Sequence, residues 1–211
     1  MRTWKSNNRL RLMSAVVVLV LGALSQSVNA DLAVEPYERR PIVQNQLLEE
    51  RLTELLPTLM RESQIDMWIV IAREYNDDPV FLSLAPKPRF TARRTTMLVF
   101  FDQGEEGLER LTVSRYPLGA LYEAAWEGGD LDAQWQRLAS IVAARNPEKI
   151  AVNVSDMWPV ADGLSHSLYE KLESELEPRL RDRIVSAENL VVRWMETRTP
   201  QRLKCGSGEW R

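Results

Sequence analysis

The chain has 211 residues, 45 % hydrophobic and 27 % charged, with 27 basic side chains against 30 acidic, one histidine and one cysteine. An acidic balance argues against a nucleic-acid binder, which needs a basic face to offset phosphate charge. A lone cysteine closes no internal disulfide, so the fold relies on its apolar core.

The first thirty residues read as a secretory signal peptide. Arg2, Lys5, Arg9 and Arg11 make a basic start, and Leu12 to Leu24 is apolar except for Ser14 and Gly22. Val28-Asn29-Ala30 fits a small-x-small cleavage site before Asp31. The apolar run is short for a membrane anchor, and a polar Ser-Gln-Ser follows it. Cleavage near Ala30 would leave an exported chain, periplasmic or secreted, that does not span a membrane. Its 23 basic and 30 acidic side chains give a net charge near −7. Its length suits one domain with a full core.

Asp31 to Arg40 reads as a polar arm. Ile42, Val43, Leu47, Leu48, Leu52, Leu55, Leu56, Leu59 and Met60 then recur at three- to five-residue steps. This predicts an amphipathic helix over 41–63, kinked or split by Pro57. Asp66 to Ala72 carries a continuous apolar run, Met67 to Ile71, as expected of a central strand buried on both faces. Tyr75 to Arg94 is irregular, with room for a short helix at 78–83. Thr95 to Phe101 is a second buried strand, and Asp102 to Gly107 a turn. Leu108 to Tyr116 alternates, Leu111 and Val113 against Arg110, Thr112 and Ser114, which predicts a hairpin partner with one wet face.

Pro117 to Asp130 reads as loop. Asp130 then caps a helix whose apolar face is Leu131, Trp135, Leu138, Ala139 and Val142, ending at Asn146-Pro147. Lys149 to Val154 is a strand and Asp156 to Asp162 a loop. Leu164, Leu168, Leu172 and Leu176 mark another helix, Arg183 to Ser186 a short strand, and Glu188 to Met195 a last helix. The fold class is α/β: a mixed β-sheet of about five to six strands flanked by helices, with right-handed crossovers.

Few residues suggest chemistry. His166 follows Asp162 by four positions, so the two share a face if both are helical. A metal site would need further ligands, and a surface histidine is the plainer reading. A third functional reading, an enzyme built on this pair, lacks an orienting third group. The neighbours Asp77-Asp78 and Glu105-Glu106 read as solvated carboxylates capping turns, not as an acid/base pair. Arg89, Arg93 and Arg94 form the densest basic group. Arg93 and Arg94, at the start of a buried strand, are the candidate ligand contacts, able to hold a carboxylate in a forked hydrogen bond. The alternative is a solvated loop end or an ion pair to a nearby glutamate. Cys205 reads as an incidental thiol. There is no Gly-rich phosphate loop, Gly-x-Ser-x-Gly, His-Glu-x-x-His or Cys-x-x-Cys.

The order of elements carries a resemblance, together with Ile65-Asp66-Met67-Trp68-Ile69-Val70, Arg94-Thr95-Thr96-Met97-Leu98-Val99-Phe100-Phe101-Asp102 and Val185-Ser186-Ala187-Glu188-Asn189-Leu190-Val191. Over residues 41 to 200 the chain resembles the N-terminal domain of Xaa-Pro aminopeptidases, in the creatinase and aminopeptidase P group of pita-bread metallopeptidases. Val192 to Pro200 resembles the linker into that family's first catalytic helix, with Thr199 as its cap and Pro200 as its first residue.

The resemblance implies a creatinase-like domain over 41–197, followed over 198–211 by the start of a linker and a divergent tail. It implies an accessory role, pairing subunits into a homodimer and restricting access to an active cleft that takes short peptides. The family's two divalent metals, such as Mn or Zn, belong to a C-terminal catalytic domain and are held by two Asp, one His and two Glu. None of those residues is carried onto this chain, so the resemblance supplies no catalytic residue and no cofactor here, and the chain is expected to be inactive alone. Gln201 to Arg211, with Gly206-Ser207-Gly208, departs from the family's long helix, and is read as a tail cut or frame-shifted ahead of the catalytic domain. The alternative is a free-standing periplasmic ligand- or protein-binding module of the same fold.

Overall fold

A computed structural model describes residues 36–200 and Arg202. The expected signal peptide, the first half of the polar arm, Cys205 and the rest of the tail lie outside the described residues. The described chain forms a six-stranded mixed sheet with helices on both faces. Its strands are β1 (Met67–Arg73), β2 (Thr95–Asp102), β3 (Leu108–Ser114), β4 (Glu123–Ala124), β5 (Ile150–Val152) and β6 (Ile184–Ser186), in the spatial order β4-β3-β2-β1-β5-β6. β1 pairs antiparallel with β2 and parallel with β5, so it stands inside the sheet as its unbroken apolar run requires.

Side-chain alternation divides β1 between two cores. Trp68, Val70 and Ala72 face one layer, and Met67, Ile69 and Ile71 the other. The first layer is covered by α1 (Arg40–Glu50), α2 (Leu56–Glu62), α3 (Pro79–Leu84) and α7 (Glu188–Glu196). The second is covered by α4 (Leu131–Arg145), α5 (His166–Glu175) and the short α6 (Pro178–Arg181). Asp66 sets the register between neighbours: its carboxylate accepts from the Glu148 and Lys149 N–H groups (3.0 and 2.8 Å), and β5 starts beside β1.

The first helix is neither broken nor sharply divided. A π-turn, Arg51–Leu55, joins α1 to α2, and the Leu56 N–H donates to the Arg51 carbonyl. Widening the helix by one residue gives room for Pro57, whose ring would otherwise meet the carbonyl four residues back. The expected stripe is buried mainly in its second half, with Leu48 the one core residue of the first. Leu52, Leu56, Leu59 and Met60 are core, whereas Ile42 is exposed and Val43 and Leu47 half-buried. Asn45 holds this first half to the loop after α3 by exchanging two hydrogen bonds with the Lys87 backbone (2.7 and 2.9 Å).

Three local expectations are corrected. β3 has no fully wet face: Thr112 and Ser114 are as buried as Leu111 and Val113, because Leu118 and Tyr122 fold back over that side. The loop after β3 contains β4, a two-residue edge strand too short to show a period. Leu131 opens α4 but stays exposed, and Gln134 and Ile141 join Trp135, Leu138 and Val142 on the buried face. The Asp130 cap forms as expected, its carboxylate accepting from the Ala133 N–H at 2.8 Å.

Candidate functional site

Arg93 and Arg94 are both exposed, and they line different clefts. Lining separate clefts, the two do not form one forked grip. Arg93 lies over the Tyr116 ring, 4.8 Å from its centre, in a cleft of about 800 Å³ shared with Lys87, Arg89 and Phe90. Arg94 opens into a second cleft, of about 610 Å³, at the end of the sheet where β1 and β3 finish and β2 begins. Arg73 and Arg115 line it too, with Tyr75, Tyr116 and Trp126.

This second cleft is built by backbone pairing. The Glu74 N–H donates to the Arg94 carbonyl (2.8 Å), and the Glu74 carboxylate accepts from the Arg94 N–H (3.2 Å). Arg73 and Asn76 exchange two further backbone bonds, of 3.2 and 2.9 Å, across a tight turn. That turn forces Tyr75 to φ +68°, and Arg94 stands at φ +55°. Left-handed backbone is unfavourable for both residue types and persists only where surroundings impose it. Tyr75 is left 97 % exposed, its ring held in solvent. The cleft's two acids are already engaged by backbone: Glu74 by Arg94, Asp130 by the cap of α4.

A buried polar network lies on the first layer. Asp78 is fully buried and caps α3, its Oδ1 accepting from the Val80 N–H at 2.8 Å. Asn153, at the end of β5, donates to Asp78 Oδ2 (2.7 Å) and accepts from Trp68 Nε1 (2.8 Å). Burial pushes the Asp78 carboxyl above the ordinary carboxylate range, opposed by the bonds from Asn153, Val80 and Phe81. Gly163 closes the network: a Cβ there would lie 2.3 Å from the Asp78 Cγ. The expected solvated pair Asp77-Asp78 is therefore corrected. Asp78 is sealed inside, and Asp77 is half-buried, accepting from the Thr91 hydroxyl and the Ala92 N–H (both 2.6 Å). Asp78 does cap the following helix, whereas Asp77 bonds residues 14 and 15 positions further on. Their burial was hidden in the sequence because Asn153 and Gly163 lie 75 and 85 positions from Asp78.

Arg51 was not singled out by the sequence. The π-turn carries it inward until it is 7 % exposed, where it lies 4.0 Å from the centre of the Trp194 ring. Its guanidinium donates to the Trp194 and Thr197 carbonyls at the end of α7. Its pKa is lowered to about 10, first by burial and then by repulsion from Arg202 and Arg198. Next to it the Thr199 hydroxyl donates to Glu50 (3.1 Å), and Pro200 and Arg202 are helical. The only visible sequence signal was a charged residue inside an apolar stripe, which is commonly a solvated position.

The Asp162–His166 pair does not share a helix face. α5 begins at His166, and Asp162 ends a 3₁₀ turn and accepts from the Ser155 N–H (3.3 Å). His166 is exposed beside Glu170, one turn on. Glu105 and Glu106 lie in an exposed 3₁₀ turn. Among the described residues, no group of three or more His, Cys, Asp and Glu side chains is placed to hold a metal ion, so no step is derived through one. None of their helices is long and apolar enough to cross a membrane. No protein-family model, curated protein or solved structure matches the chain.

Proposed function

We propose that this chain is the N-terminal accessory domain of an exported Xaa-Pro aminopeptidase-like metallopeptidase, serving subunit pairing and access to an active cleft, not the chemistry itself. The observation that carries the reading is the exit of the chain. Arg51 ties the end of α7 to the first helix, and Thr199 bonds Glu50, so the backbone leaves the domain in a defined direction. A domain that orients a following one needs such an anchored exit, since a loose linker transmits no orientation. The resemblance of Val185 to Pro200 to the family's linker segment points the same way. On this reading the two divalent metals act in a C-terminal domain.

The test is an assay of the purified full chain on an Xaa-Pro dipeptide with Mn²⁺ or Zn²⁺, beside light scattering on the same sample. No turnover and a dimer are expected. Hydrolysis abolished by a chelator would overturn the reading, because no metal ligand is assigned to this chain. The coding DNA beyond the Arg211 codon, read in all frames, is expected to contain the spaced Asp, Asp, His, Glu, Glu set.

A second reading has its own support: a free-standing binding module, favoured by the Arg94 cleft. Arg93 serves the neighbouring cleft.

A further inference from the structure

We infer that the Arg94 cleft binds a small organic anion carrying two negative charges and a flat aromatic group. The inference narrows the second reading above and needs no catalytic domain. Three strands deliver one guanidinium each to the same cleft: Arg73 from the last position of β1, Arg94 just before β2, Arg115 just after β3. Arg115 is partly engaged, donating to the Gly129 carbonyl at 2.7 Å. No carboxylate among the described residues forms an ion pair with any of the three. Arg61 is paired with Asp102 and Arg145 with Glu109, whereas Arg89, Arg93 and Arg137, like these three, have no ion pair among the described residues. What sets this cleft apart is that three such arginines line it together. The three guanidiniums outnumber the cleft's two carboxylates, Glu74 and Asp130, whose bonds go to backbone N–H groups, so an arriving anion meets a surplus of positive charge.

Shape and aromatic content narrow the class. A volume of about 610 Å³ matches a small-molecule site and is far too small for a folded partner. Guanidinium forks suit planar carboxylate and tetrahedral phosphoryl oxygens alike. Tyr75, held in solvent on a left-handed backbone, and the half-buried Trp126, which lines the same cleft, offer flat apolar surfaces. An anion without a ring would leave both unused.

Isothermal titration of the full chain with phenyl phosphate, phthalate, benzoate and inorganic phosphate at pH 7.5 tests this; the phosphoryl group is then mostly dianionic. Phenyl phosphate or phthalate should bind at least about fivefold more tightly than benzoate and inorganic phosphate, as two charges and a stacked ring predict. Arg73→Ala and Arg94→Ala should each weaken that binding about tenfold or more, the usual effect of losing a charged hydrogen bond. Arg73→Ala keeps the test independent of the left-handed backbone at Arg94. Arg89→Ala, in the other cleft and without a contact to this one's aromatic lining, should change affinity less than about twofold. Tyr75→Ala should weaken phenyl phosphate but not inorganic phosphate. Absence of heat with every anion at millimolar concentration overturns the inference. So does an Arg89→Ala loss equal to that of Arg94→Ala, which would mean general surface charge. Equal affinity for phenyl phosphate and inorganic phosphate overturns the aromatic part. Binding confined to some other ligand overturns this inference and leaves the broader module reading intact.

Discussion

The two faces of the sheet are built on different principles. The α4/α5 face is almost wholly apolar: Met67, Ile69, Ile71, Met97, Val99, Leu138, Ile141 and Leu172 interlock with no buried charge among them. The α1/α3/α7 face packs Leu52, Leu56, Phe81 and Phe100 around buried polar groups, namely Asp78, Asn153, the Trp68 indole N–H and, near its edge, Arg51. An apolar layer tolerates small changes of shape, since its contacts are non-directional. A polar layer has few arrangements in which each donor meets an acceptor, so it specifies one geometry and fails sharply when a member is removed. The polar face is also the one on which Arg51 ties down the end of α7.

Substitutions can break this contrast. The largest loss is expected for Trp68→Ala, which empties the stack on Phe100 (ring centres 5.4 Å apart) and orphans Asn153 Oδ1. Cavity and lost bond together should remove about 4–6 kcal/mol of stability by urea unfolding. Leu138→Ala, on the apolar face, should remove about 2–4 kcal/mol, from transfer and cavity alone. If the two losses are equal, the faces do not differ as described. Gly163→Ala ranks next, at about 2–3 kcal/mol, because its methyl group meets the sealed Asp78 carboxylate and the surroundings must shift.

Acid and base titration sharpens the comparison by sign. Asp78 is raised by burial, so the folded chain holds that proton more tightly than the unfolded one. Its contribution is complete below the unfolded value near 4 and is lost as pH rises through the folded value. Asp102 is lowered, first by the hydrogen bond from Arg61, so its contribution is present above the unfolded value and lost as pH falls through the folded one. Asp78→Asn should destabilise at every pH, because its amide meets the Asn153 amide, yet it should remove the decline that begins above pH 4. Arg61→Ala has the smallest effect. Arg61 is exposed, so the neutral-pH midpoint should scarcely move, and the acid-side loss assigned to Asp102 should shrink. Stability profiles of both variants from pH 3 to 8 check these signs.

Much of the architecture was legible because its signals are local. Met67 to Ile71 and Thr95 to Phe101 carry too many consecutive apolar residues for a half-exposed strand, and both became interior strands. The helix marked by Leu168 and Leu172 and the Asp130 cap need no information beyond one or two turns of helix, although Leu164 and Leu176, expected on the same helix, are buried just outside its ends. Ser114 and Thr112 misled because their burial depends on Leu118 and Tyr122 returning over β3, which alternation cannot report. Arg94 was found as a basic residue at a strand start, but its companions Arg73 and Arg115 lie 21 positions away on either side. Strand pairing alone gathers the three.

The sequence by itself determined five of the six strands and most helices, the mixed α/β class and the acidic balance, since periodicity and composition are properties of the chain read in order. The tertiary structure alone decided that Asp78 is sealed away from water, that Arg51 turns inward to hold the exit, and that Arg93 and Arg94 part into separate clefts. Each of these depends on desolvation or on a partner distant in sequence, and both exist only once the sheet has closed over its two layers.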